Sequence, residues 1–75
     1  MKEDLTSILV FATNIRNRSD KEFVSSILDE STVIRKWSID QEDIDCVLRV
    51  VTNVLSVNDI IKIINILGFN CAELQ

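Results

Sequence analysis

The apolar positions of this chain switch between the two-residue alternation of strands and the wider spacing of helices. Residues 5–15 are apolar on both alternating faces, which is typical of a strand with neighbours on either side. The two sets are Ile8, Val10 and Ala12 on one face, and Leu9, Phe11 and Ile15 on the other. We therefore expect a central first strand.

A helical spacing follows the first strand. The apolar residues that fall at this spacing are Phe23, Val24, Ile27 and Leu28. Ser19 stands three residues before Glu22, as in a capping box, in which each residue satisfies a backbone amide of the other. The pattern predicts a helix that begins near Asp20.

Strand-like alternation returns in the middle of the chain. Residues 32–39 place Val33, Trp37 and Ile39 on one face, and Lys36 and Ser38 on the other, which is typical of a half-buried edge strand. Residues 40–43 are acidic and polar and predict a turn. Residues 44–51 then predict a third strand, antiparallel to the second. Its expected core face consists of Ile44, Cys46, Leu48 and Val50.

A second helix is predicted from a second capping signal. Ser56 and Asp59 form the same box before a run of isoleucines, of which Ile60 and Ile64 fall at helical spacing. Gly68 follows, where a left-handed residue commonly ends a helix. Residues 69–74 are long enough for one last short strand.

The order strand, helix, strand, strand, helix, strand is the split βαβ arrangement of ferredoxin-like sandwiches. We therefore predict an α+β fold in a single domain over residues 1–75. Right-handed crossovers give a four-stranded antiparallel sheet of order 4-1-3-2, with both helices on one face.

The composition is typical of an ordered domain, and its charge disfavours some classes of partner. Hydrophobic residues make up 47% of the chain, with one Gly and no Pro. The 12 acidic residues outnumber the 8 basic ones, and the net charge of −4 disfavours nucleic acid and anionic membranes as partners. No apolar run is long enough to cross a bilayer, and residues 1–4 do not resemble a signal peptide. We expect a cytoplasmic protein.

The reactive side chains are few. The sequence contains no His, which removes most catalytic triads and zinc-enzyme schemes. The predicted sheet order puts the first strand between Cys46 and Cys71, about two strand spacings of ~4.8 Å apart. A disulfide needs Cα atoms closer than about 7 Å, so we predict none. We also expect no cofactor.

The chain resembles the heavy-metal-associated domain of copper chaperones and metal-pumping ATPases. The resemblance covers nearly the whole length and is most specific in the second half, where an isoleucine-rich helix runs into Leu-Gly-aromatic and a short strand. The matching segments are residues 47–50, 55–56, 59–64 and 66–74. In the first half, residues 24–27 are similar to the helix that follows the family's second metal-binding Cys.

The family's metal loop is Met-x-Cys-x-x-Cys, in which two thiolates hold a soft metal ion. Aligned on residues 24–27, this chain has Asp20 and Phe23 at the two Cys positions. Phe23 cannot bind a metal, which leaves Asp20 and Cys71 as weak candidates. The resemblance therefore implies the fold without the thiol site. The alternative is a heavy-metal-binding or metal-transport-related protein with a non-standard site.

Two arginines precede the first predicted helix. Arg16, Arg18 and Ser19 lie where free helix amides favour an anion. Their functional interpretation is an oxyanion pocket, distantly like that of acylphosphatases, which share the split βαβ fold. The third alternative for the function is therefore a small oxyanion-binding enzyme. The simpler interpretation is a solvated loop whose arginines pair with Asp20, Glu22 or Glu30, and the missing glycines favour it.

The uncovered sheet face is the remaining candidate. Whichever face of the first strand is uncovered, it exposes apolar side chains together with Val47 and Val51, and such patches often mark interaction sites. Trp37 is either a packing residue or an anchor for a partner. We therefore expect a non-catalytic binding or interaction domain, whose partner is another protein or a second copy of the chain.

Overall fold

The computed structural model describes residues 7–74 of the chain, so residues 5–6 of the predicted first strand lie outside the described residues. The strands and helices follow one another in the predicted order. They are β1 (Ser7–Thr13), α1 (Arg18–Leu28), β2 (Lys36–Asp40), β3 (Val47–Thr52), α2 (Val57–Ile66) and β4 (Cys71–Glu73).

The strands form one antiparallel sheet with the order β2-β3-β1-β4. Read from the β4 edge, these neighbours are the fourth, first, third and second strands. β1 is central, because Leu9 lies opposite Val50 of β3, and Thr13 lies opposite Cys71 of β4. The four-stranded sheet and two helices are compatible with a ferredoxin-like fold.

The start of α1 differs from the predicted capping box. Asn17, not Ser19, is the N-cap, and its side-chain oxygen accepts a hydrogen bond from the Asp20 N–H at 2.8 Å. The helix therefore begins at Arg18, two residues before the predicted start at Asp20. Ser and Asn are both strong N-cap residues, and the one that comes first in the chain caps this helix.

The hairpin between β2 and β3 is shorter than predicted. β2 begins at Lys36 instead of Thr32, and β3 begins at Val47 instead of Ile44, which is 84% exposed. Cys46 has a φ of 44°, in the left-handed region, and this interrupts the extended backbone just before β3. Residues 44–47 therefore have the alternating pattern of a strand, but the backbone before Val47 forms a turn.

The second helix begins and ends as predicted. Ser56 and Asp59 form the reciprocal capping box, with hydrogen bonds of 3.2 and 2.9 Å. At the other end Gly68 has a φ of 100°, and its N–H donates to the Asn65 carbonyl. The N–H of Phe69 donates to the Ile64 carbonyl, which completes a Schellman motif.

Both helices pack on the same face of the sheet, where a single core forms. α1 contributes Val24 and Leu28 to this core, and α2 contributes Ile60 and Ile64. The core residues outside the helices are Phe11, Ile15, Ile34, Ile39, Leu48 and Val50. Two apolar residues of the predicted α1 stripe are only partly covered: Phe23 is 49% exposed and Ile27 41%. The Phe23 ring lies 6.4 Å from that of Phe69.

Candidate functional site

The sheet face opposite the helices, called the open face below, is the first candidate surface. The strand register places alternate residues of β1, β2 and β3 on it. These residues are Ile8, Val10, Ala12, Lys36, Ser38, Asp40, Val47, Arg49 and Val51. Of the two sets that the sequence offered for β1, Ile8, Val10 and Ala12 are therefore the uncovered one.

A shallow groove lies on the open face near the β2 edge of the sheet. Its volume is about 210 Å³, and its lining combines apolar and cationic residues. The lining residues are Ile8, Lys36, Trp37, Ser38, Arg49 and Val51. Ile8 is 62% exposed and lies directly opposite Val51 in the ladder, so the two form an accessible apolar pair.

The charges on the open face contrast with the acidic chain. Lys36 and Arg49 are both exposed, and neither forms an ion pair with another residue in the 7–74 range. Among the residues of this face that the structure describes, Asp40 is the one carboxylate, and it lies at the other end of β2 from Lys36. Its side chain already accepts a hydrogen bond from the Glu42 N–H at 3.1 Å. The groove is therefore locally cationic on a chain whose net charge is −4.

The predicted interaction residues fall in different environments. Val51 is half-buried on the open face, whereas Val47 shares the face but is only 6% exposed. Trp37 packs against the core, and its Nε1–H donates to Asp29 Oδ1 at 2.7 Å. The indole therefore ties the edge strand to the end of α1. Val51 remains accessible on the open face.

A second concave surface lies where β1, β4 and α2 meet. This groove, called the polar groove below, has a volume of about 490 Å³ and a mixed lining that is slightly more polar than apolar. The lining residues are Ala12, Thr13, Asn14, Arg16, Asn65, Asn70, Cys71 and Ala72. Asn14 Oδ1 accepts from the Asn70 N–H at 2.8 Å, and Asn65 Nδ2 donates to the Phe69 carbonyl at 2.8 Å. These bonds fix two side-chain amides around the exposed Arg16.

The three predicted anion-binding residues do not converge. Arg16 lines the polar groove, but Arg18 and Ser19 are exposed in the first turn of α1 and do not line it. Arg18 Nε lies 3.8 Å from Glu22 Oε2, one helical turn away. An exposed pair of this kind contributes little to stability, but it gives Arg18 the acidic neighbour that the simpler interpretation expects.

The weak metal candidates lie apart. Cys71 lines the polar groove, where partial burial raises the pKa of its thiol to about 11, so the uncharged thiol predominates at neutral pH. Asp20 is in the first turn of α1 and does not line that groove. Cys46 is buried and its thiol is free, as is that of Cys71. Within residues 7–74, His, Cys, Asp and Glu side chains form no cluster of three or more suited to a metal ion.

The alternation of residues 32–39 puts Lys36 on the outward face of β2, but no local pattern places it near Arg49. Their proximity depends on the register, which sets Ser38 opposite Arg49 and Lys36 opposite Val51. The sequence signal for this proximity is one basic residue at an outward position in each of two paired strands.

Comparisons with protein-family models, curated proteins and solved structures found no match to this chain. Neither helix in the part of the chain that the structure describes has the length and apolar character needed to cross a bilayer. The open face and the polar groove are therefore the two candidate sites of function.

Proposed function

We propose that this protein is a small non-catalytic interaction module that binds another protein through the open face of its sheet. The observation that carries the proposal is the accessible pair of Ile8 and Val51 in a groove whose lining also includes Lys36 and Arg49. An apolar groove with flanking charges provides both the contact area and the orientation that a partner needs.

A different protein suits this face better than a second copy. In a two-fold symmetric dimer the same patch contacts itself, so the cations of one copy would lie near those of the other. Lys36 and Arg49 would then repel their counterparts, and among the described residues of the face Asp40 is the one carboxylate, already engaged in the turn. We therefore propose a heterologous partner.

We also propose a fold and a family for the chain. The element order, the sheet order and the Schellman motif at Gly68 support a ferredoxin-like sandwich. They also support the resemblance to heavy-metal-associated domains. We propose that the chain keeps this scaffold without the thiol loop, since Phe23 occupies one of the aligned Cys positions and packs against Phe69.

A selection experiment tests the interaction proposal without a known partner. The full chain is presented to a random peptide library, and the selected peptides are mapped by amide chemical shifts. We expect the shifts to cluster at Ile8, Val10, Arg49 and Val51, and Ile8→Lys to abolish them. Ile27→Lys on α1 is the matched control, because Ile27 is also partly exposed but lies on the helix side. Selection that yields no peptide, or only peptides on the helix side, would contradict the proposal.

The polar groove supports a second candidate function, the binding of a small oxyanion. A guanidinium beside side-chain amides offers several donors to a carboxylate or phosphate oxygen. Titration with inorganic phosphate should shift the amides of Asn14, Arg16 and Asn70, and Arg16→Gln should remove the shifts. Arg18→Gln is the control, because Arg18 lies outside the groove. Equal loss in both variants would mean that phosphate responds only to general charge.

A further inference from the structure

We infer that the partner segment on the open face is an extended acidic peptide that carries an apolar side chain. The inference deepens the proposed function and rests on it. Its basis is the arrangement of three features in one groove: an apolar pair, two cations on neighbouring strands, and enough room for one side chain.

The apolar part of the groove fits a single side chain. Ile8 and Val51 lie side by side across the β1–β3 ladder, and the groove around them measures about 210 Å³. A cavity of about 150 Å³ holds a benzene molecule. One aliphatic or aromatic side chain can therefore settle there and cover the exposed Ile8.

The spacing of the cations matches an extended strand. Lys36 lies opposite Val51, and Arg49 is two residues before Val51 on β3, so the two cations are diagonal neighbours. Diagonal neighbours in an antiparallel pair lie about 7–8 Å apart. Alternate side chains of an extended peptide lie about 6.5–7 Å apart. Two carboxylates at alternate positions can thus face Lys36 and Arg49 together.

The rest of the molecule favours a short acidic peptide over a nucleic acid. A phosphate backbone needs an extended run of cations, whereas the described part of the open face offers Lys36 and Arg49 and ends at the carboxylate of Asp40. The net charge of −4 would also repel a polyanion at longer range. A peptide with two acids uses the local cations and avoids most of that repulsion.

The probe is the peptide Leu-Ser-Glu-Ser-Glu-Ser-Leu, in which both acids and both apolar residues share one face when the peptide is extended. The comparison peptide has Gln in place of each Glu. Amide-shift titration of the full chain at low salt should show about five-fold tighter binding of the acidic peptide, as two partly exposed ion pairs provide. The preference should disappear at about 0.5 M salt, where charges are screened over a few ångströms.

The matched variants are Arg49→Gln and Lys36→Gln, each of which should halve the preference or remove it. Lys21→Gln on α1 makes the same charge change away from the open face and should leave the preference intact. Equal binding of the two peptides, an equal effect of Lys21→Gln, or tighter binding of an oligothymidine would overturn the inference. A well-dispersed amide spectrum shows that each variant is folded.

The test separates this inference from the proposed function. If the Gln peptide binds the open face as tightly as the Glu peptide, the face is an interaction site but its partner is not acidic. If no peptide of any charge shifts residues of the open face, the interaction proposal itself fails.

Discussion

The two faces of the sheet are built from the same strands and yet have opposite environments. On the helix side, Phe11 and Leu48 lie opposite each other and are fully buried. On the open face, Ile8 and Val51 are equally direct neighbours, but Ile8 is 62% exposed. Apolar character alone therefore does not decide burial in this protein. The two helices decide which apolar set becomes core and which remains available for contact.

The sharpest test of this contrast is Leu48→Ala, paired with Val10→Ala on the open face. We expect Leu48→Ala to lower the free energy of unfolding by about 2–5 kcal/mol, because it leaves a cavity where no solvent enters. Val10→Ala should cost less than about 1 kcal/mol, since Val10 is only partly covered. Urea denaturation measures both.

A substitution with a smaller expected loss of stability keeps the comparison measurable if Leu48→Ala unfolds this small domain. Ile64→Val, which trims the helix side by one methylene, should cost about 0.5–1.5 kcal/mol. Equal losses for Leu48→Ala and Val10→Ala would mean that the open face is covered in solution.

The next largest effect concerns a buried hydroxyl at the end of β3. Thr52 donates to the Val33 carbonyl at 2.7 Å and accepts from the N–H groups of Val54 and Leu55. Thr52→Val keeps the shape and leaves these groups without a partner, so we expect a loss of about 1–3 kcal/mol. Thr32→Val at an exposed position is the control and should stay within about 0.5 kcal/mol. A neutral Thr52→Val would show that water satisfies these groups.

Gly68, at the end of α2, provides a test with a smaller expected effect on the helix layer that covers the core. Gly68→Ala adds no steric contact, because nothing lies within 4 Å of the added Cβ, but it forces Ala to a φ of 100°. We expect a loss of about 1 kcal/mol in the free energy of unfolding. Gly68→Asn should cost less, since Asn tolerates left-handed backbone better. Thermal melts of both variants would reveal the difference, and the reverse order would contradict the conformational explanation.

The smallest expected effect is a dependence on pH at the two helices. The Trp37 indole, followed by the Ser25 hydroxyl, lowers the pKa of Asp29. The Ser56 N–H, followed by the Ser56 side chain, lowers the pKa of Asp59. Carboxyls with lowered folded pKa values stabilise the fold above their unfolded pKa of about 4, and this contribution is lost as the pH falls below it.

Unfolding midpoints measured between pH 6 and pH 3 should therefore decline in the acid range. Carbon-13 titration of the two carboxyls gives the direct measurement. Trp37→Phe removes the indole donor and should raise the pKa of Asp29 while leaving that of Asp59 unchanged. A pKa of Asp29 that does not respond would show that the indole bond is not kept in solution.

The sequence predicted the element order and the second helix well, because those signals are local and agree with one another. At α2, Ser56, Asp59, the isoleucine spacing and Gly68 all indicate the same two ends, and the structure has them. The resemblance to a metal-binding family and the interaction function stay predictions.

The errors fall where two local patterns compete. Asn17 and Ser19 are both good caps, and only the backbone geometry selects Asn17. The alternation of residues 44–47 looks like a strand, but Asp43 Oδ1 accepts from the Asp45 N–H and holds this stretch in a turn. The diagonal proximity of Lys36 to Arg49 depends on strand register, which no single stretch of sequence determines.

The central position of β1 has a kinetic consequence. Hydrogen bonds at its end reach far along the chain: the Thr13 hydroxyl donates to a residue 33 positions later, and Asn14, just after the strand, accepts from a residue 56 positions later. Long loops must close before any of these bonds forms, and domains that combine helices with a sheet fold more slowly than helical bundles, whose contacts are local. We therefore expect this chain to fold more slowly than a helical bundle of the same size, because β1 is fully paired only when β4, the last strand, has joined the sheet.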